Sequence, residues 1–102
     1  MSPQEEIKSK LPQIREICRR NHVRELSLFG SALRSDFARD SDYDFLVDFQ
    51  PGATVGLFDF GRMVVDLESL LNRKIDLVFK SSLRPSLRNR IINQAQLLYA
   101  EP

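Results

Sequence analysis

Cysteine is nearly absent. Cys18 is the only one in 102 residues, which excludes an internal disulfide and a zinc site built from thiolates. Histidine is equally scarce, and the single His22, beside Asn21, reads as a surface residue at a helix end rather than a catalytic base. No apolar run reaches the roughly 18 residues that a membrane-spanning helix needs, so none is expected. The N-terminal Met1-Ser2-Pro3-Gln4-Glu5-Glu6 is acidic and lacks an apolar core, so it does not read as a secretory signal, and a cytoplasmic protein is expected. Neither sign of charge dominates: 15 basic residues against 14 acidic leave a net charge of +1. That gives no global field toward a polyanion, and no direct nucleic-acid partner is expected. Internal repeats and low-complexity segments are also missing.

What is present is 42% hydrophobic residues in a chain of 102, enough for one domain over residues 1–102. A chain of this size buries roughly two thirds of its unfolded surface, which supports one core and little more. No large substrate-binding lobe fits, so a partner is expected to complete any active site.

Ile7, Leu11, Ile14 and Cys18 recur at helical spacing, with Pro12 either kinking that helix or marking where it begins. Arg24 to Phe29 reads as a strand closed by Gly30, and Ser31 to Ala38 as a short helix. Tyr43, Phe45, Val47 and Phe49 alternate with Asp42, Asp44, Leu46 and Asp48, a strand with one apolar and one acidic face, ended by Gln50-Pro51-Gly52. Leu57, Phe60, Val64, Leu67 and Leu71 mark a third helix, and Lys74 to Phe79 a third strand. Leu83, Leu87, Ile91 and Leu98 form the stripe of a last helix, with Pro85 in its first turn and Tyr99 at its end. The order α-β-α-β-α-β-α predicts an α/β (α+β) fold: a small mixed β-sheet with helices packed on one face and an open acidic face.

Gly30-Ser31, followed after ten residues by Asp42-Tyr43-Asp44, carries the chemistry. A helix N-terminus preceded by a small residue offers backbone N–H groups and a positive dipole end to a phosphate. Asp42 and Asp44, two apart on a strand, point to one side. By the same alternation Asp76 stands opposite the apolar side of its own strand. If the two strands pair, three carboxylates converge and repel one another unless cations neutralise them. Two Mg2+ ions about 3.5–4 Å apart would do so and would clamp the attacking and leaving oxygens of a phosphoryl transfer. Hard oxygen ligands with no cysteine or histidine nearby suit magnesium better than zinc.

Leu28-Phe29-Gly30-Ser31, then Asp40-Ser41-Asp42-Tyr43-Asp44-Phe45-Leu46-Val47, then Arg73-Lys74-Ile75-Asp76-Leu77-Val78 resembles the DNA polymerase beta superfamily of nucleotidyltransferases. More narrowly the chain resembles the minimal nucleotidyltransferases (MNT proteins) that act as antitoxins beside HEPN-domain toxins. The resemblance implies that Gly30 and Ser31 hold the triphosphate of ATP, that Asp42 and Asp44 are the ligands shared by two Mg2+ ions, and that Asp76 binds the catalytic ion and draws the proton from the nucleophile. Arg34, at a position commonly basic in the family, could reach a phosphate or could be a solvated arginine. Ser35 stands where many relatives carry glycine. The activity implied is transfer of AMP from ATP to a tyrosine of a cognate HEPN ribonuclease toxin, which silences it. A non-catalytic antitoxin that works by stoichiometric binding is the alternative, and transfer to a small molecule such as an aminoglycoside lacks a substrate lobe.

Other charged residues have plainer readings. Asp48 shares the parity of Asp42 and Asp44 but reads as a loop-edge acid; Asp36 and Asp40 read as a solvated helix end and turn. Lys80, Arg84, Arg88 and Arg90 form a basic stretch that is either a solvated face or a contact for the toxin, its RNA or a triphosphate. Phe58 and Phe60 are core or interface positions, exposure of either favouring the interface.

Overall fold

A computed structural model describes residues 2–33 and 42–101. Helix α1, Pro3–Ser9, is started by a reciprocal cap: the Ser2 hydroxyl accepts from the Glu5 N–H at 3.2 Å, and the Glu5 carboxylate accepts from the Ser2 N–H at 3.3 Å. Lys10 separates it from α2, Leu11–Arg20, where Pro12 sits in the first turn and its missing N–H costs nothing. The proline therefore begins a second helix. The Lys10 ammonium donates to the Leu70 carbonyl at 2.6 Å, fastening this junction to the end of the third helix.

His22, in the left-handed region at φ 58°, turns the chain into β1, Val23–Phe29. A 3₁₀ turn over Gly30–Leu33 follows. Strand β2 is Tyr43–Phe49, helix α3 Leu57–Leu71, and strand β3 Ile75–Phe79. Helix α4, Pro85–Gln94, and strand β4, Gln96–Ala100, complete the described chain. The sheet order is β3-β2-β1-β4. β1 runs antiparallel to both β2 and β4, while β2 and β3 are parallel, joined by α3 as a crossover. The sheet is therefore mixed, as the sequence predicts.

Helices α1 to α3 cover one face. Ile7, Ile14, Ile17, Met63 and Leu67 pack there against Leu26, Leu28, Tyr43, Phe45 and Val47. Val23 and Leu26 share this face although three apart, because a register shift between Val23 and Glu25 inverts the alternation. Cys18 is wholly buried on α2, where burial pushes its thiol up to about 12 and leaves it without nucleophilic character. Among the described residues no helix is long and apolar enough to cross a membrane.

Two expectations are corrected. The last helix stops at Gln94, and Leu98 and Tyr99 belong to β4 instead, paired along β1 with Tyr99 opposite Leu26. Leu98 lies at a helical interval from Ile91, but without β4 the outer edge of β1 would leave its backbone groups unpaired. Leu57 is not on the core stripe of α3: it is 83% exposed and Phe58 86%, whereas Met63, Leu67 and Leu71 are buried. Phe60 stacks on Phe79 at 5.0 Å, and Phe79 also meets Phe49 at 5.7 Å. Those rings mark the ends of β2 and β3, so the turn before Phe60 projects past the sheet.

Candidate active site

The site grows from the junction of β1 with the turn that follows it. Phe29, the last residue of β1, is the ladder partner of Asp44, and Gly30 then turns the chain with φ +76°. That conformation is open to glycine and strained for other residues. A side chain is excluded for a second reason. A Cβ at Gly30 would overlap Asp44 Oδ2 and lie 3.1 Å from Asp44 Cγ, so the carboxylate rests against bare backbone.

Asp44 is in register with Asp76 across the parallel β2–β3 pair. Strand alternation turns both away from the helix-covered face, where Tyr43, Phe45, Ile75 and Leu77 are buried. Asp42 lies one residue ahead of β2, two positions before Asp44, and is exposed. The fold thus sets Asp44 and Asp76 side by side and brings Gly30 against the first of them. Among the described residues it does not gather three carboxylate, imidazole or thiolate groups closely enough to hold an ion. The donor set is all hard oxygen, it faces away from the core, and the absence of a side chain at Gly30 lets the Asp44 carboxylate lie against the turn. These features fit magnesium. Of Ser31 only the backbone is described, within the 3₁₀ turn. Arg34, Ser35, Asp36 and Asp40 lie outside the described residues.

Tyr43, between the two aspartates, was expected to face the core, and it does. Its hydroxyl donates to Glu6 Oε2 of α1 at 3.0 Å, and the Arg73 guanidinium lies 4.8 Å from its ring centroid. Burial, reinforced by the bond to Glu6, pushes the phenol up to about 12. This brace ties α1 and the α3–β3 turn to the aspartate-bearing strand. The sequence pointed to neither Glu6 nor Arg73 in this role, since the three residues are remote along the chain and meet only in the fold.

The remaining charged candidates settle as follows. Asp48 lies within the β2 ladder opposite Glu25. Lys80 Nζ pairs with Glu25 Oε2 at 3.0 Å. Arg84 precedes the first turn of α4 without a side-chain cap, and Arg88 donates to the Leu83 carbonyl at 3.4 Å while its buried Nε has no partner among the described residues. His22 is exposed, as expected.

The profile of the family described as "Nucleotidyltransferase domain" matches residues 11–98. Protein adenylyltransferase MntA of Thermococcus cleftensis is 38% identical over 91 residues, covering 88% of this chain and 90% of that one. A solved structure described as a minimal nucleotidyltransferase matches with a TM-score of 0.77 at 32% identity, over 93% of this chain and 94% of that one. A chain from a complex of tri-AMPylated Shewanella oneidensis HEPN toxin with MNT antitoxin matches with a TM-score of 0.65 over 92% of this chain and 72% of that one; at 22% identity the likeness is one of fold.

Proposed function

The chain belongs to the nucleotidyltransferase domain family, as a minimal nucleotidyltransferase of the protein-adenylylating kind, and from that premise we propose that it moves AMP from ATP onto a tyrosine of a cognate HEPN ribonuclease toxin. The observation that carries this reading is the in-register pair Asp44–Asp76 on the face away from the core, with Gly30 packed against Asp44. In the solved complex that shares this fold, the HEPN toxin carries AMP; here the acceptor is inferred to be of the same class. Residues 1–102 act as one catalytic domain, and the docked toxin completes its active site.

Asp42, Asp44 and Asp76 are the residues that would hold Mg2+. The ions, when bound, neutralise phosphate charge and offset the repulsion among the acids. Gly30 lets the backbone approach the triphosphate without a side chain between them, and Ser31 offers its hydroxyl to a phosphate oxygen, with Arg34 as a further phosphate contact. Asp76, at the outer strand of the pair, faces the incoming acceptor and takes the proton from the tyrosine hydroxyl. The hydroxyl oxygen forms a bond to the α-phosphorus, the bond from that phosphorus to the β-phosphate bridging oxygen breaks, and pyrophosphate departs. The acceptor is left as an AMP ester that can no longer serve in RNA cleavage.

The test is catalytic economy. A small molar fraction of this chain, with ATP and Mg2+, should convert an excess of toxin to a form heavier by one or more AMP units on intact-mass analysis, and RNA cleavage should stop in step. Neutralisation only at equal molar amounts, without a mass increment and without need of ATP, would instead establish a binding antitoxin. AMP found only on Tyr99 of this chain, or only on a small molecule, would also overturn the reading.

A further inference from the structure

A cavity of about 280 Å³ lies on the sheet face away from the core. The open face is ruled into rows by the β1–β2 register: Phe29 opposite Asp44, then Ser27 opposite Leu46, then Glu25 opposite Asp48. Successive rows are about 6.6–6.8 Å apart, from a rise of about 3.3–3.4 Å per residue. The second and third rows form the cavity floor. Ile92 near the end of α4 and Leu97 of β4 supply apolar walls, and Lys80 stands at the rim.

Two features give the cavity a chemistry. Lys80 and Glu25 neutralise one another at 3.0 Å. Asp48 has no such relief: it is half-buried, and among the described residues its carboxylate makes no hydrogen bond or ion pair. A half-buried carboxylate between apolar walls calls for a donor. The volume falls just under the roughly 300–1,000 Å³ of sites that enclose a whole small molecule, which suits one ring system. The cavity also begins one row from Asp44, so a nucleotide with its α-phosphate at Asp44 would cross the first interval with its ribose and reach the rows beyond with its base.

We propose that this cavity is the base site: a purine carrying an exocyclic amine lies between Leu46, Ile92 and Leu97 and donates that amine to the Asp48 carboxylate. The inference rests on the active-site reading above, because it takes the α-phosphate to sit at Asp44. It makes Asp48 a specificity residue and explains why an acid occupies the third row of a face already rich in acids.

The test is a pair of nucleotides that differ at one group. ATP presents an amine where inosine triphosphate presents a carbonyl oxygen, which an aspartate repels. Dissociation constants are measured for both in Mg2+ with the full chain, with inorganic tripolyphosphate as a base-free competitor. Wild type should prefer ATP by about tenfold, the value of one good hydrogen bond. Asp48→Asn, whose amide can donate, should lose that preference or reverse it while tripolyphosphate binding and the melting temperature stay unchanged. Equal binding of ATP and inosine triphosphate by wild type, or an unaltered ratio in Asp48→Asn, overturns the base assignment alone. An unaltered ratio with a raised KM for the toxin assigns the cavity to the protein acceptor instead. Failure of wild type to bind any of the three probes overturns the active-site reading along with it.

Discussion

Replacing Gly30 with alanine should damage the protein in two separable ways. The first is backbone strain: φ is +76°, and holding an L-residue in the left-handed region costs about 1–2 kcal/mol. The second is the clash of the new methyl with the Asp44 carboxylate, whose Cγ would be 3.1 Å away. To clear it the carboxylate must rotate from its rotamer, at about 0.5–1.5 kcal/mol. Together the two effects destabilise by about 2–3 kcal/mol, which for a domain of this size lowers Tm by roughly 10–20 °C. Catalysis should suffer more than stability, since displacing a reacting group by about 1 Å costs on the order of 10²-fold in rate. AMP incorporation into the toxin measures the second effect, and thermal melting measures both. A double-mutant cycle separates them. In an Asp44→Ala background the carboxylate is gone, so Gly30→Ala should cost only the backbone strain, and the two changes should be non-additive by the rotamer penalty. Wild-type turnover and an unchanged melt in Gly30→Ala would refute the close approach of the turn to Asp44. Strict additivity in the cycle would refute the steric part.

Asp42→Asn, Asp44→Asn and Asp76→Asn should each abolish AMP transfer while the fold survives; in EDTA the first two should melt no lower than wild type, because a repulsive charge has been removed, and full activity in any of them would sink its metal-holding role. Tyr43→Phe should cost about 0.5–1.5 kcal/mol by urea titration, since it loses the bond to Glu6 but keeps the buried ring. Leu67→Ala should cost about 2–5 kcal/mol, because Leu67 is fully buried between α3 and the sheet. Stability should fall in alkali: Cys18 is raised from about 9 to about 12 and Tyr43 from about 10 to about 12. Both acids hold their protons more tightly when folded, so their stabilisation is intact below about pH 9 and is lost as the pH rises toward 12, a trend that melting across that range will check.

Much of this protein was legible in its residue order because the relevant signals are local. The β2 strand and its two faces follow from alternation over Tyr43 to Phe49, broken only at Leu46, and the bounds of α3 follow from its 3.6-residue apolar period. Gly30-Ser31 and Asp42-Tyr43-Asp44 announce phosphate and cation chemistry because residue type and spacing suffice to state what such groups can bind. That Asp44 and Asp76 share a face follows from the alternation of each strand, but their meeting depended on the two strands pairing, a condition the parallel β2–β3 ladder supplies.

What the tertiary structure alone decided concerns groups that meet across the chain. Gln96 to Ala100 carries apolar residues compatible with a helix, and it became β4 because the free edge of β1 needed a partner, a demand invisible to any local window. Leu57 continues the apolar period of α3, yet it is exposed because the sheet ends at Phe49 and Phe79 and leaves nothing for the first turn to cover. The brace of Glu6, Tyr43 and Arg73 and the cavity around Asp48 likewise depend on where separate elements come to rest. Sequence determines which groups a chain possesses and how its short segments prefer to lie. Packing then decides which groups become neighbours, because burial and hydrogen-bond satisfaction are properties of the whole surface rather than of any one segment.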